Sequence, residues 1–449
     1  VRSVQPVAYQ PKTGEAPPAR SGAEEGEILA AAPLQLTPGP APQGFDAEVS
    51  EPVDRSTGLG LDQLEAMALG NHPAVVEQRA RVRAARGNWY QVGLPMNPVA
   101  QYQSDEIGAG GHSGLHSLQV SQTWVTANKL GLARGVAAAE VRREQADLER
   151  TELQVRTSVR TAFIAALIAQ QRVEQTGGLR RLAERSMQSA QAMLDAAEVS
   201  RISLLQSQVA TERAQLAYEN ALAGEQAARR RLTAASGRGA EITGPLRGDL
   251  ERLLPELPWE SLLEELVASS PETAAAEAEL DRARRALQLA CAQVTPNVTS
   301  VAGVGIDAGS DRAFARFGVS LPLPLRNRNE GNIAQARAEI TAANAALGRV
   351  QFDLGQRLAQ AVGRYRVARS RVETLRETVV PRAEETLELS RKAFEAGESN
   401  FQELLIVQRT LFQARLDALD AVEQAGQAAA EIDGMLVNTS SPTGSLATR

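Results

Sequence analysis

The hydrophobic and polar positions of this 449-residue chain follow two kinds of pattern. The first is strict alternation. Along 312–323, Ala315, Phe317, Val319, Leu321 and Leu323 fall on one side, and Arg316, Gly318 and Ser320 on the other. That is the period of a strand with one apolar and one polar face. Segments 99–107, 115–124 and 297–307 read as further strands. The glycine-rich linker 108–114 (GAGGHSG) and a Gly-Ser-Asp turn join the four strands in pairs, which predicts two β-hairpins.

The second pattern is helical. Segments 127–197 and 330–397 space Leu, Val and Ala at helical intervals, and Pro381 is the only internal proline. At ~1.5 Å per residue, such a helix reaches about 105 Å, far beyond the needs of a globular domain. Each is predicted to end in a short turn (197–201, 397–400), after which a second helix returns along 202–235 or 401–436. Gly397 suits a helix C-cap, and Ser200 and Asn400 suit N-caps of the returning helices. Shorter helices over 61–91 and 259–290 precede the hairpins. Each contains a proline behind a stopping pair (Asn71-His72, Ser269-Ser270), where a break or kink is expected.

These elements occur twice. Residues 64–73 read LEAMALGNHP and 262–271 read LLEELVASSP, with their prolines 198 residues apart. Val120-Ser121 and Val319-Ser320 are 199 apart; Glu198 and Glu398, Leu204-Leu205 and Leu404-Leu405, and Gln208 and Gln408 are 200 apart. The spacing is too long for a solenoid repeat and predicts two copies of one large unit. Repeat one occupies 57–240, with its hairpin at 97–124 and its helical pair at 127–236. Repeat two occupies 241–437, with its hairpin at 296–323 and its helical pair at 330–436. The Pro/Gly/Ala/Glu-rich segment 1–56 reads as a disordered leader, and 438–449 as a flexible tail.

Composition narrows the possibilities. A net charge of −6 offers no basic field for nucleic acid. The lone Cys291 excludes an internal disulfide and reads as a small buried apolar residue rather than a metal site. No run of 18 apolar residues exists; the best, 163–169 (FIAALIA), is too short to cross a bilayer as a helix, so any crossing must use strands. Four strands cannot close a barrel, and open edges in lipid leave backbone groups unsatisfied. Three chains supply twelve strands, an even number within the range of such barrels. The expected fold is therefore mainly α with a small β part: a trimeric 12-stranded barrel continued by a long α-helical barrel.

Individual residues carry limited chemistry. No nucleophile–base pair, phosphate loop or carboxylate dyad stands out, so neither an enzyme nor a cofactor is expected. His112 and His116 lack a third ligand, and no metal site is assigned. His72 reads as part of the helix break. Trp89, Tyr90, Tyr102 and Trp124 cluster near the expected strand ends and form either an aromatic belt at the membrane interface or junction packing. Glu403 and Glu398 near a tip turn form either a cation-attracting ring tripled by symmetry or ordinary solvated residues favoured by a helix dipole.

The segment 319–340, VSLPLPLRNRNEGNIAQARAEI, resembles the strand-to-helix junction of the TolC-like outer-membrane efflux family, in its heavy-metal cation branch of CzcC-like and CusC-like proteins. Residues 394–405, FEAGESNFQELL, resemble that family's periplasmic tip, and DAAEVSRISLLQSQ from Asp195 repeats it loosely. The resemblance implies a homotrimeric duct in the bacterial outer membrane, extending into the periplasm. It implies docking through a periplasmic adaptor onto an inner-membrane pump, and passive conduction of substrate. It assigns Glu403 and Glu398 to the aperture; Ile406 departs from a second acidic position. Glu198, Ser200, Arg201, Gly397, Ser399 and Asn400 become tip-turn residues in adaptor contact. Pro322, Pro324, Arg326, Asn327, Asn329 and Gly331 become the strand-to-helix junction. Many members carry an N-terminal lipid-anchor cysteine; none stands near Val1, so no anchor is expected. Heavy-metal cations are the leading cargo. Drug or organic-compound efflux, a type I secretion duct and, in another class, a soluble coiled-coil scaffold are the alternatives.

Overall fold

The computed structural model describes residues 59–108, 114–197, 199–237, 242, 244–248, 263, 266, 268–396 and 398–435, all within the unit Arg55–Arg449. The expected leader, the tail, His112, Glu198 and Gly397 lie outside the described residues.

Helices α1 (Leu61–Asn71) and α2 (Pro73–Gln91) are separated by a single extended residue, His72, at φ −63° and ψ 128°. Proline at the first position of α2 forces this break, because the residue before proline is pushed out of the helical region. His72 ends α1 through its backbone N–H and starts α2, its Nδ1 accepting from the Ala74 N–H at 3.2 Å. The proposed role of His72 in the break is thus what the structure shows. Ser270 plays the same part before α5 (Pro271–Ala292), its Oγ accepting from the Glu272 N–H at 3.2 Å.

Strands β1 (Val99–Asp105), β2 (Leu115–Trp124), β3 (Val298–Asp307) and β4 (Arg312–Ser320) form one antiparallel sheet in that order. Strand β4 ends at Ser320, short of the expected 323. Pro322 and Pro324 have no N–H to donate to a ladder, so 321–324 is irregular chain.

Between the sheet's two hairpins run α3 (Lys129–Asp195), 67 residues without a break, and the returning α4 (Arg201–Ala235). After β4 the chain does not repeat this as one helix. Helix α6 (Glu330–Thr374) passes through a π-helical turn at Leu375–Val379 into α7 (Val380–Glu395), and α8 (Phe401–Asp433) returns. The turn sits just before Pro381, where the missing N–H already breaks the α ladder; the Val380 N–H reaches five residues back to the Leu375 carbonyl.

The 163–169 apolar run is the centre of the main core. Phe163, Ile164, Leu167 and Ile168 are buried with Leu64 and Ala68 of α1, Leu232 of α4 and Ala421, Val422 and Ala425 of α8. A second cluster joins Leu354, Leu358 and Tyr365 of α6 to Ala428, Ala429 and Ile432 of α8. Alanine recurs at these contacts, letting long helices approach closely. Cys291, expected to be buried, is exposed at the end of α5. Among the described residues no helix is long and apolar enough to cross a membrane.

Candidate functional site

The two faces of the sheet differ chemically. Cross-strand register aligns Tyr102 with Leu118, Leu118 with Val304, Val304 with Ala315, and Ala302 with Phe317. All are on one face and exposed, Phe317 at 77%, Val304 at 66% and Tyr102 at 64%. The opposite face carries Gln103, Asp105, Ser117, Gln119 and Arg316. Gln119 donates to Gln103 Oε1 at 2.7 Å, Gln103 donates to both Asp105 oxygens at 2.9 and 3.1 Å, and Arg316 Nη1 reaches Gln103 Oε1 at 3.5 Å. An apolar face bared to the surroundings and a hydrogen-bonded polar face behind it suit a wall between lipid and water. Among the described residues, strands β1 and β4 each have one unpaired edge.

Tyr102 lies in the middle of β1, not near a strand end, and its hydroxyl meets His116 Nδ1 at 2.7 Å. Trp124 does sit at a strand end and donates to Ser300 Oγ at 2.9 Å, and the Arg134 guanidinium lies 4.6 Å over Trp89. Ser104 also contacts His116 Nδ1, at 3.0 Å.

At the far end of the helices, Ser200 Oγ accepts from the Ser203 N–H at 3.3 Å and Asn400 Oδ1 from the Glu403 N–H at 2.9 Å, so both residues are N-caps as expected. Ala197 takes a left-handed conformation, φ 60°, the kind of position that glycine fills most easily. Glu398, Asn400, Arg201 and Glu403 are exposed; Ser399 is half-buried. Phe401, Leu204 and Ala190 are buried together, flanked by Leu194, Phe394 and Leu405, and Gln402 donates to Gln206 at 2.9 Å. The two hairpin tips are thereby bound to each other. Ile406 is exposed at 65%.

Residues 262–437 match the family described as Outer membrane efflux protein. The cobalt-zinc-cadmium resistance protein CzcC of Cupriavidus metallidurans is 34% identical over 303 residues, 67% of this chain and 72% of that protein. The chain belongs to the outer membrane efflux protein family. The nickel and cobalt resistance protein CnrC of the same organism is 27% identical over 63% of this chain and 67% of its own length. A solved structure of CusC, described in terms of transmembrane channel formation, superposes with a TM-score of 0.72 at 15% identity, over 84% of this chain and 91% of that one. The resemblance to the heavy-metal branch therefore holds. This efflux protein is an outer-membrane channel that extends into the periplasm.

The junction residues of the efflux protein divide into two groups. Asn329, at φ 61°, donates through Nδ2 to the Ala290 carbonyl at 2.8 Å and to Gln293 Oε1 at 3.1 Å, tying the start of α6 to the end of α5. Asn327 Oδ1 accepts from the Asn329 N–H at 3.0 Å. Pro322, Pro324, Arg326 and Gly331 are exposed, and nothing lies within 4 Å of a Cβ placed on Gly331.

Sequence reasoning missed a cavity of about 720 Å³ between α2, α3 and α5. Its charged lining is reciprocal: Arg143 pairs with Glu140 at 2.6 Å and Arg282 with Glu279 at 2.6 Å, while each arginine lies 3.9 Å from the other's partner. These hydrogen bonds, to Glu140 for Arg143 and to Glu279 for Arg282, outweigh burial and hold both guanidiniums above their ordinary range. The i,i+3 spacing of each pair is visible in sequence, but which helices meet is not. Arg160 joins Glu65 at 2.5 Å and Asp433 at 3.4 Å, and Arg172 pairs with Asp420, so charges on α3 hold both α1 and α8. Among the described residues no cluster of three or more His, Cys, Asp or Glu can hold a metal.

Proposed function

We propose that three copies of this chain close a twelve-stranded barrel and continue it as a helical tube that passively conducts heavy-metal cations from periplasm to exterior. The observation that carries this reading is the four-stranded sheet, apolar and exposed on one face, polar on the other and, among the described residues, unpaired at both edges. In lipid such edges cost several kcal/mol per unsatisfied backbone group, and three-fold closure removes them. The cargo follows from the metal-resistance relatives and the 319–340 junction; organic compounds or secreted polypeptides are the competing cargoes. The two repeats, 57–240 and 241–437, each supply one β-hairpin and one helical hairpin to the wall. No reaction is catalysed and no cofactor is used.

In this reading Glu403 and Glu398 ring the periplasmic aperture. Glu198, Ser200, Arg201, Gly397, Ser399 and Asn400 form the surface met by a periplasmic adaptor, which links the duct to an inner-membrane pump. Pro322, Pro324, Arg326, Asn327, Asn329 and Gly331 turn barrel into tube. The deciding experiment is light scattering of the detergent-extracted protein, with detergent mass subtracted. A detergent-requiring particle of three times 47.9 kDa is expected. A detergent-free monomer or dimer refutes the duct and favours a coiled-coil scaffold.

A further inference from the structure

The seam between β2 and β3 inside one chain serves as a template for the seam between β4 and the next copy's β1. The correspondence is fixed by the duplication and by the hairpin registers. Val120 of β2 corresponds to Val319 of β4, 199 residues on. Val120 pairs with Ala100, and Val319 pairs with Ser300, so Ala100 of β1 corresponds to Ser300 of β3. Within the chain Ser117 stands opposite Gly305, Val120 opposite Ala302 and Ser121 opposite Val301. Moving each residue to its counterpart gives the pairs expected between copies: Arg316 with Asp105, Val319 with Tyr102, and Ser320 with Gln101.

We infer that β4 of one copy and β1 of its partner pair antiparallel in this register, with Arg316 facing the partner's Asp105 on the lumen side. The inference rests on the trimer reading above. Three features agree with the register. It keeps every residue on its own face, Val319 and Tyr102 toward lipid, Arg316 and Asp105 toward water; a slip of one residue would invert one strand. It sets opposite charges directly across the seam, where like charges would be unfavourable. It also explains a difference between the seams. Inside the chain, Gly305 leaves no room for a side chain, because an added Cβ would lie 2.5 Å from the Phe314 ring. Its counterpart Asp105 carries a carboxylate, held among the described residues by Gln103, on the same polar face that Arg316 occupies. Three such pairs neutralise the three Arg316 charges that would otherwise oppose a cation in the barrel.

Cross-linking of the full chain in detergent tests this, in a Cys291→Ser background. Directly opposed residues have Cα atoms about 4.5–5.5 Å apart, inside the roughly 4.4–6.8 Å that a disulfide spans, whereas diagonal ones are about 7–8 Å apart. On oxidation, R316C/D105C and the gentler S320C/Q101C are expected to convert most of the chain to a covalent trimer. R316C/Q103C and G318C/D105C, each displaced by two residues, are expected to give less than about a tenth of that yield. The reversal R316D is expected to lower the fraction of trimer surviving mild SDS by roughly twofold to fivefold per seam, and R316D/D105R to restore it. A trimer by light scattering in which the displaced pairs cross-link instead overturns the register but leaves the trimer standing. Loss of the trimer itself overturns both.

Discussion

Asn128 and Asn329 occupy matching places, each in the left-handed region (φ 52° and 61°) immediately before a long helix. Asparagine tolerates that conformation better than most residues, and a β-branched side chain does not. Only Asn329 also bonds across to the preceding helix. Asn128→Gly is therefore expected to be near neutral in thermal unfolding, and Asn329→Gly to cost about 1 kcal/mol for its lost hydrogen bonds. Valine at either position is expected to cost more, about 1–3 kcal/mol.

Phe317 lies at 77% exposure on the apolar face. If that face meets lipid, Phe317→Arg is expected to destabilise the folded barrel by about 2–4 kcal/mol near the bilayer midplane. Ser121→Arg, on the polar face, is expected to be tolerated. Urea unfolding in detergent–lipid mixtures measures both, and equal costs refute the assignment of faces.

Glu403 stands exposed in the first turn of α8, its backbone held by the Asn400 cap. Glu403→Gln removes three charges from the proposed aperture while keeping the cap. The cation-over-anion permeability ratio, read from reversal potentials in planar bilayers under a salt gradient, is expected to fall. An unchanged ratio assigns Glu403 to solvation of the helix end.

Phe401 is buried between the two hairpin tips at 5% exposure. Phe401→Ala is expected to cost about 3–5 kcal/mol locally. Limited proteolysis is expected to cut first near 196–206 and 394–406, with the barrel end intact.

Burial, opposed by nearby Arg160, raises the Asp433 carboxyl above its ordinary 3.8. A carboxyl raised in the folded state binds its proton more tightly there than in the unfolded chain. Its contribution is thus fully present below pH 3.8 and is lost as pH rises through the higher folded value. Asp433→Asn is expected to flatten the decline of stability with pH in that window, checked by chemical denaturation at a series of pH values. Glu423, raised first by burial as well, adds to the same decline and remains in the variant.

Much of this architecture was legible in the chain. Alternation at 312–323 located β4 because strand side chains point to opposite faces in turn, but it overran the end of the strand: the ladder stops at Ser320, before Pro322, which has no N–H to pair. Proline behind His72 and Ser270 located two helix starts, and Ser200 and Asn400 two more, since a cap is a local interaction between neighbours in sequence. The π-helical turn was not legible. Proline announces that a helical bond is missing, but whether the chain kinks, breaks or underwinds depends on what packs around it.

Function was legible only through resemblance, and the tertiary structure supplied its physical basis. Sequence by itself determined the main elements and their order, because periodicity and caps depend on residues a few positions apart. It could not determine that Arg143 meets Glu279, that Phe401 meets Leu204, or that Val304 lies between Leu118 and Ala315. Those contacts join residues far apart in the chain, and only the packing of helices and the register of strands brings them together.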